Sequence, residues 1–207
     1  MTLFLGYDPG GRNSHGVAAA YIMPDGTFEK EPMMDVLESA KDVRDWVVGF
    51  SDVAAVGIDT LLAWSLTGSR KCDEVLRKSY PEHTQSIIAQ NSLYSSMTLN
   101  GAMIAKECAD LGLPILESHP KLLIKTNVAG DPEGHAILGR YHSTCSLPAT
   151  SKRDAKRNDD KADALVAAWC ASRWYFKRWT EDLYVGEVGD LVFPAGDAVY
   201  PWPRALE

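Results

Sequence analysis

Met1-Thr2-Leu3-Phe4-Leu5-Gly6-Tyr7-Asp8-Pro9-Gly10 opens the chain. Leu3, Phe4, Leu5 and Tyr7 form a short apolar run bounded by turn residues, which reads as a buried strand. The run ends on a carboxylate, Asp8, and breaks at Pro9-Gly10-Gly11. A buried strand has little reason to finish on a bare charge unless something at the sheet edge pairs with it. Ligands of open α/β sheets gather at the carboxyl ends of strands. Asp8 is therefore expected to be the first ligand of a divalent-metal site.

Working outward, Gly16 to Ile22 is a second apolar run, closed by the turn Pro24-Asp25-Gly26. Thr27 to Lys30 alternates and reads as a third strand. Connections this short demand an antiparallel meander. Asp35 to Phe50 has helical periodicity, with Val36, Leu37, Ala40, Val43, Trp46, Val47 and Phe50 near one face. Val53 to Ile58 is almost wholly apolar, as a central parallel strand would be, and it too is followed by an acid, Asp59. Further on, Cys72 to Tyr80 and Met97 to Leu111 read as helices, the second with Gly112 as its C-cap, and Pro81 to Ser86 as a loop. Pro114 to Leu116 is a fifth strand ending on Glu117, and Pro120 to Ile124 starts a short helix. Thr126 to Thr150, rich in Gly, Pro, Ser and His, reads as irregular, followed by a basic stretch with Lys152, Arg153, Lys156 and Arg157. Asp160 to Lys177 is the last helix, with acids at its N-terminus to suit the helix dipole. The expectation is an α/β fold: a mixed five-stranded sheet, antiparallel and then parallel, flanked by helices. Residues 1–178 form the domain, and 179–207 a hairpin or extended tail packed on it.

The bulk numbers agree with one sizeable α/β domain in 207 residues, 45% of them hydrophobic. A net charge of −7 argues against a protein that simply coats duplex nucleic acid. It does not exclude a nuclease, whose metal-binding carboxylates add negative charge that bound cations cancel. The four scattered cysteines, with no CxxC, read as reduced thiols. The N-terminus does not resemble a signal peptide, because its apolar run is cut by Asp8, and no run approaches a membrane span. A cytoplasmic protein with no membrane partner is expected.

Three apolar strands thus end in acids, Asp8, Asp59 and Glu117, and the last helix adds Asp160 and Asp163 one turn apart on one face. Any of these alone is readily a solvated strand end or a helix cap. Together they supply the oxygen ligands that Mg²⁺ or Mn²⁺ prefers. Two such ions sharing a carboxylate can clamp an in-line phosphoryl displacement. Arg70, Lys71, Arg77 and Lys78, and the basic stretch with Lys161, are candidates to grip phosphates or simply solvated faces. His119 reads either as a partner of the site or as a turn residue. His135, His142 and Cys145 have spacing too wide for an ordinary zinc site. Trp169 and Trp174 read as core.

These motifs carry a resemblance. A strand ending in Asp, a meander, a helix, a strand ending in Asp and a late Asp-x-x-Asp-Ala helix look like the ribonuclease H-like superfamily. Asp160-Lys161-Ala162-Asp163-Ala164-Leu165-Val166-Ala167-Ala168 resembles the final catalytic helix of RuvC-type Holliday-junction resolvases. Gly57-Ile58-Asp59, Arg70-Lys71-Cys72-Asp73 with Arg77, Glu117-Ser118-His119-Pro120 and Asp160-x-x-Asp163-Ala164 are similar to the domain-of-unknown-function 429 family of predicted RNase H-like nucleases. The chain departs from that pattern at Leu61-Leu62, where Pro-Leu is favoured, and in its long segment from Asn127 to Asn158. The resemblance implies a metal-dependent nuclease of DNA or RNA. Asp8 would bridge the metals, Asp59 or Glu117 would hold one, and Asp163 with Asp160 the other. It implies substrate contacts for Arg70, Arg77, His119 and Lys161. Two alternatives stay open: a nucleotide-binding phosphotransferase, for which Asp8 to Ser14 would be a phosphate loop, and a non-catalytic binding module dimerising through Tyr200 and Trp202.

Overall fold

The computed structural model describes residues 1–66, 68–85, 87, 95–126, 132–186 and 190–203. Its centre is β1 (Leu3–Asp8), every residue of which is buried. It pairs antiparallel with β2 (His15–Tyr21) and parallel with β4 (Val53–Ile58). Beyond β2 lies β3 (Met33–Leu37), antiparallel. Beyond β4 lies β6 (Ile115–Glu117), parallel. The order β3-β2-β1-β4-β6, antiparallel and then parallel, is the mixed sheet expected of a ribonuclease H-like fold.

The period-2 alternation of β1 divides the core into two layers. Leu3, Leu5 and Tyr7 pack with Val43 and Val47 of α1 (Ala40–Val48) and with Ile104 and Cys108 of α3 (Ser95–Asp110). Phe4 points the other way, into a core built from α6 (Lys152–Tyr175), with α4 (Pro120–Thr126), α5 (His135–Cys145) and α2 (Lys71–Ser79). Trp169, in that layer, is fully buried, and Trp174 packs at its margin.

The seating of α6 follows from three glycines on adjacent strands. A Cβ on Gly6 of β1 would lie 1.8 Å from the Ala164 carbonyl oxygen. One on Gly16 of β2 would lie 2.1 Å from that of Asp160, and one on Gly57 of β4 would lie 2.0 Å from that of Ala167. Gly6 and Gly57 are direct partners across the β1–β4 pair. Together the three make a side-chain-free groove into which the α6 backbone settles.

Several local readings are corrected. The third strand is Met33–Leu37, not Thr27–Lys30, where only a single bridge joins Ile22 to Phe28. The first helix begins at Ala40, because Ser39 caps it by accepting from the Asp42 amide. Asp35 to Leu37 belong to the strand. The segment read as irregular holds α5, whose Ile137, Leu138 and Tyr141 pack into the α6 layer. α6 starts eight residues earlier than Asp160, capped by Ser151, so Lys152, Arg153, Lys156 and Arg157 are helical. Ser86 and residues 127–131 of the two expected loops lie outside the described residues.

The sheet has a sixth strand, β9 (Ala198–Val199), parallel to β6. The same stretch supplies a second short pair, β7 (Glu181–Asp182) with β10 (Pro201–Trp202), and one strand of a third, in which β8 (Leu191–Val192) pairs with β5 (Trp64–Ser65). Trp179, Tyr184, Tyr200 and Trp202 are all buried. Tyr200 and Trp202 are therefore core residues and not the dimer surface the sequence left open. Among the described residues no helix is long and apolar enough to cross a membrane.

The groove yields a direct check. Gly6→Ala drives a methyl into a backbone carbonyl that cannot yield, and is expected to cost about 3 kcal/mol or more. Gly11→Ala, which meets nothing within 4 Å, is expected to leave the urea midpoint unchanged. Equal midpoints for the two variants would show that α6 does not rest on Gly6.

Candidate metal centre

Four of the acids singled out from sequence converge at the carboxyl ends of β1 and β4. Asp8 ends β1, and Asp59 follows β4 with its amide bonded to the Tyr7 carbonyl at 2.9 Å. Asp160 and Asp163 are delivered by α6, one turn apart and both 1% exposed. Because Gly16, opposite Asp8 in the β1–β2 register, touches the backbone of Asp160, the helix is pressed onto the sheet where Asp8 stands.

The electrostatics confirm the convergence. Burial pushes the Asp8 carboxyl well above the usual range, and Asp59, Asp163 and Asp160 push it further. Asp59 is raised by burial and then by Asp163. Asp163 is pushed up to about 6, mainly by burial, with Lys121 and Lys156 opposing. Lys121 Nζ sits 3.2 Å from Asp163 Oδ2. The other Asp163 oxygen, Oδ1, is buried without a hydrogen-bond partner. Asp160 accepts from Ser14 Oγ at 2.8 Å and from Lys156, one turn before it. Burial pulls both lysines towards their neutral forms, but the aspartates outweigh it and hold each ammonium above the ordinary range.

A cavity of about 510 Å³ opens at this point. Asp8, Asp59, Asp160, Lys121, Lys156 and His119 line it, as do Glu117 and Arg70, with Leu61, Ile87 and Met97 on its apolar side. Among the described residues, no group of three or more His, Cys, Asp or Glu side chains is disposed to hold a metal ion as they stand. The acids are close enough to repel one another, and the cations they now meet are lysines.

Glu117 has a different environment from the aspartates. Both its oxygens are engaged: Oε1 by Arg70 Nη2 at 2.8 Å, and Oε2 by Arg70 Nη1 at 2.9 Å, the Leu62 amide at 2.6 Å and the Tyr184 hydroxyl. Burial raises its pKa, and Arg70 pulls it down. Arg70 also donates Nε and Nη2 to Asp73, at 2.7 and 2.8 Å, and is itself 1% exposed between the rings of Tyr184 and Tyr200. Glu117 and Arg70, expected as metal ligand and phosphate contact, are thus each other's partners in a buried ion pair. Arg77 donates Nε and Nη2 to the Ile87 carbonyl and does not line the cavity. Lys161 is also absent from the lining, because one residue past Asp160 is a rotation of about 100° around the helix.

Sequence reasoning missed Lys121, named Ser14 only within an alternative phosphate loop, and left Lys156 open between a basic loop and a substrate clamp. The i, i+4 spacing from Lys156 to Asp160 is visible in the sequence once the helix is known to begin at Lys152. Nothing local marks Lys121 or Ser14, which reach α6 from other elements.

No family model matches the chain, that of the domain-of-unknown-function 429 family included. No curated protein matches it. Among solved structures it is similar to that of RuvC from Thermus thermophilus, at 15% sequence identity over 97% of this chain and 100% of that one, with a TM-score of 0.45. At that distance the similarity says nothing of chemistry.

Two consequences follow for stability. Arg70→Met strands Glu117 and Asp73 as unpaired buried acids, and about 3–5 kcal/mol should be lost in urea unfolding. The aspartates work in the opposite sense. A carboxyl whose folded pKa lies above its unfolded value binds its proton more tightly in the folded state. Stability should therefore fall as pH rises from about 4 through about 6 for Asp163, and the raised carboxyls of Asp8 and Asp59 act in the same direction. In chelator, Asp8→Asn is expected to stabilise the protein at pH 8 by on the order of 1–2 kcal/mol, and much less at pH 5. A destabilising Asp8→Asn at pH 8 would mean that the acids do not repel.

Proposed function

We propose that the chain is a divalent-metal-dependent phosphodiester hydrolase of nucleic acid on a ribonuclease H-like scaffold, similar in its motifs to the domain-of-unknown-function 429 family. The observation that carries this reading is the clustering of Asp8, Asp59 and Asp160 in the lining of one cavity, with buried Asp163 one helical turn from Asp160 and one of its oxygens left without a partner. Such a set costs stability and serves no packing purpose, which is the signature of a functional site.

The donor chemistry fits Mg²⁺ or Mn²⁺: hard oxygen ligands, few enough that water and substrate phosphate complete the shell. Asp8, Asp59, Asp160 and Asp163 would hold the cation. When bound, the cation supplies Lewis acidity and a water acidic enough to attack phosphorus near neutral pH. The chain's own residues do the rest. Ser14 fixes the Asp160 carboxylate by its hydrogen bond. Glu117, through the Leu62 amide, ties the segment after β4 to Arg70, so that the Asp59 backbone keeps its place. In this reading Glu117 and Arg70 are positioning residues and neither ligates metal nor touches substrate. His119, at the cavity wall, is placed to meet the substrate.

The test is hydrolysis of labelled single-stranded, duplex and branched DNA and RNA with Mn²⁺ or with chelator. Cleavage is expected only with the cation. Asp8→Asn should lower it by more than the roughly hundredfold that loss of an outer partner costs. Metal-dependent cleavage undiminished in Asp8→Asn would end the assignment.

A further inference from the structure

Two lysines from different elements reach the same acids. Lys156 extends along α6 to Asp160, and Lys121 extends from α4 to Asp163. Their side chains are 57% and 48% exposed, whereas the carboxylates they meet are 1% exposed. Each therefore stands at the cavity mouth and reaches inward with its charged head, a geometry that a long flexible stem allows. Four carboxylates face two ammonium groups, so the ionised cluster stays short of positive charge, and Asp163 Oδ1 has no partner. Neither lysine is walled in. Swinging back to water costs each only its ion pair.

We propose that Lys121 and Lys156 are interchangeable counter-ions of this site: they neutralise Asp163 and Asp160 in the cation-free protein, yield those oxygens to a divalent cation, and then face the substrate's phosphate. The inference rests on the metal reading of the preceding subsection and adds a competition within it. An ammonium and a divalent cation cannot both occupy the same carboxylate oxygens, so each lysine weakens cation binding. With the carboxylates taken, the displaced ammonium groups remain beside the cavity, where a phosphate is the anion left for them to meet.

Calorimetric titration with Mn²⁺ of the wild-type chain, Lys121→Met and Lys156→Met tests the competition without reference to activity. Each variant is expected to bind Mn²⁺ on the order of tenfold more tightly than wild type. Each should bind a non-hydrolysable single-stranded phosphorothioate oligonucleotide more weakly in Mn²⁺. Thermal unfolding in chelator shows that the variants fold, with midpoints below wild type because Asp160 or Asp163 has lost its cation. Wild type that binds Mn²⁺ no less tightly than the variants overturns the inference and leaves the metal reading standing. Tighter Mn²⁺ with undiminished oligonucleotide binding overturns the phosphate role. No Mn²⁺ binding by any of the three removes the metal reading and this inference together.

Discussion

The contact between the α6 backbone and the glycine groove of β1, β2 and β4 is the constraint on which the rest depends. Helices ordinarily stand off a sheet by the length of the side chains between them. Here Gly6, Gly16 and Gly57 remove those side chains along one line, and the carbonyls of Ala164, Asp160 and Ala167 occupy the space. The approach sets the height of α6 above the sheet. It thereby sets how far Asp160 and Asp163 stand from the acids at the strand ends. One missing methyl group on each of three strands is the structural cause of a concentrated negative potential.

The buried acids fall into two kinds, and the contrast shows what each is for. Glu117 and Asp73 share Arg70, with geometry that satisfies both oxygens of Glu117 and draws in Tyr184 from the C-terminal stretch. A pair so completed holds elements together, joining β6, α2 and the segment after β4. Asp8, Asp59 and Asp163 are left under-compensated, with raised pKa values, and one Asp163 oxygen has no partner. Such a group costs the folded protein stability that a neutral residue in its place would not.

Much of this architecture is legible in the residues. The strand of Leu3 to Asp8 and the apolar strand of Val53 to Ile58 have little choice of conformation, and the acids after them stand where strand direction puts them. The Asp-x-x-Asp spacing is a helix-face statement that needs no tertiary information. The misreadings have local causes too. Ser39 and Ser151 are capping signals that outweigh apolar periodicity at Val36 and acidity at Asp160. α5 is short and polar on much of its surface, and it holds its shape by packing Ile137 against α6. The sixth strand has two residues and exists because β6 offers it an edge.

From the sequence alone came the alternation and the chemical types of the acids, because these depend on residues within a few positions of one another. Which acids meet lysines and which are closed by an arginine was decided only in three dimensions. Arg70 and Glu117 lie 47 residues apart, and Lys121 meets Asp163 from a separate helix. A carboxylate reads the same in sequence whether it faces a guanidinium, an ammonium or water. The partner is chosen by packing, and packing here is set by three glycines whose significance appears only when α6 is laid across them.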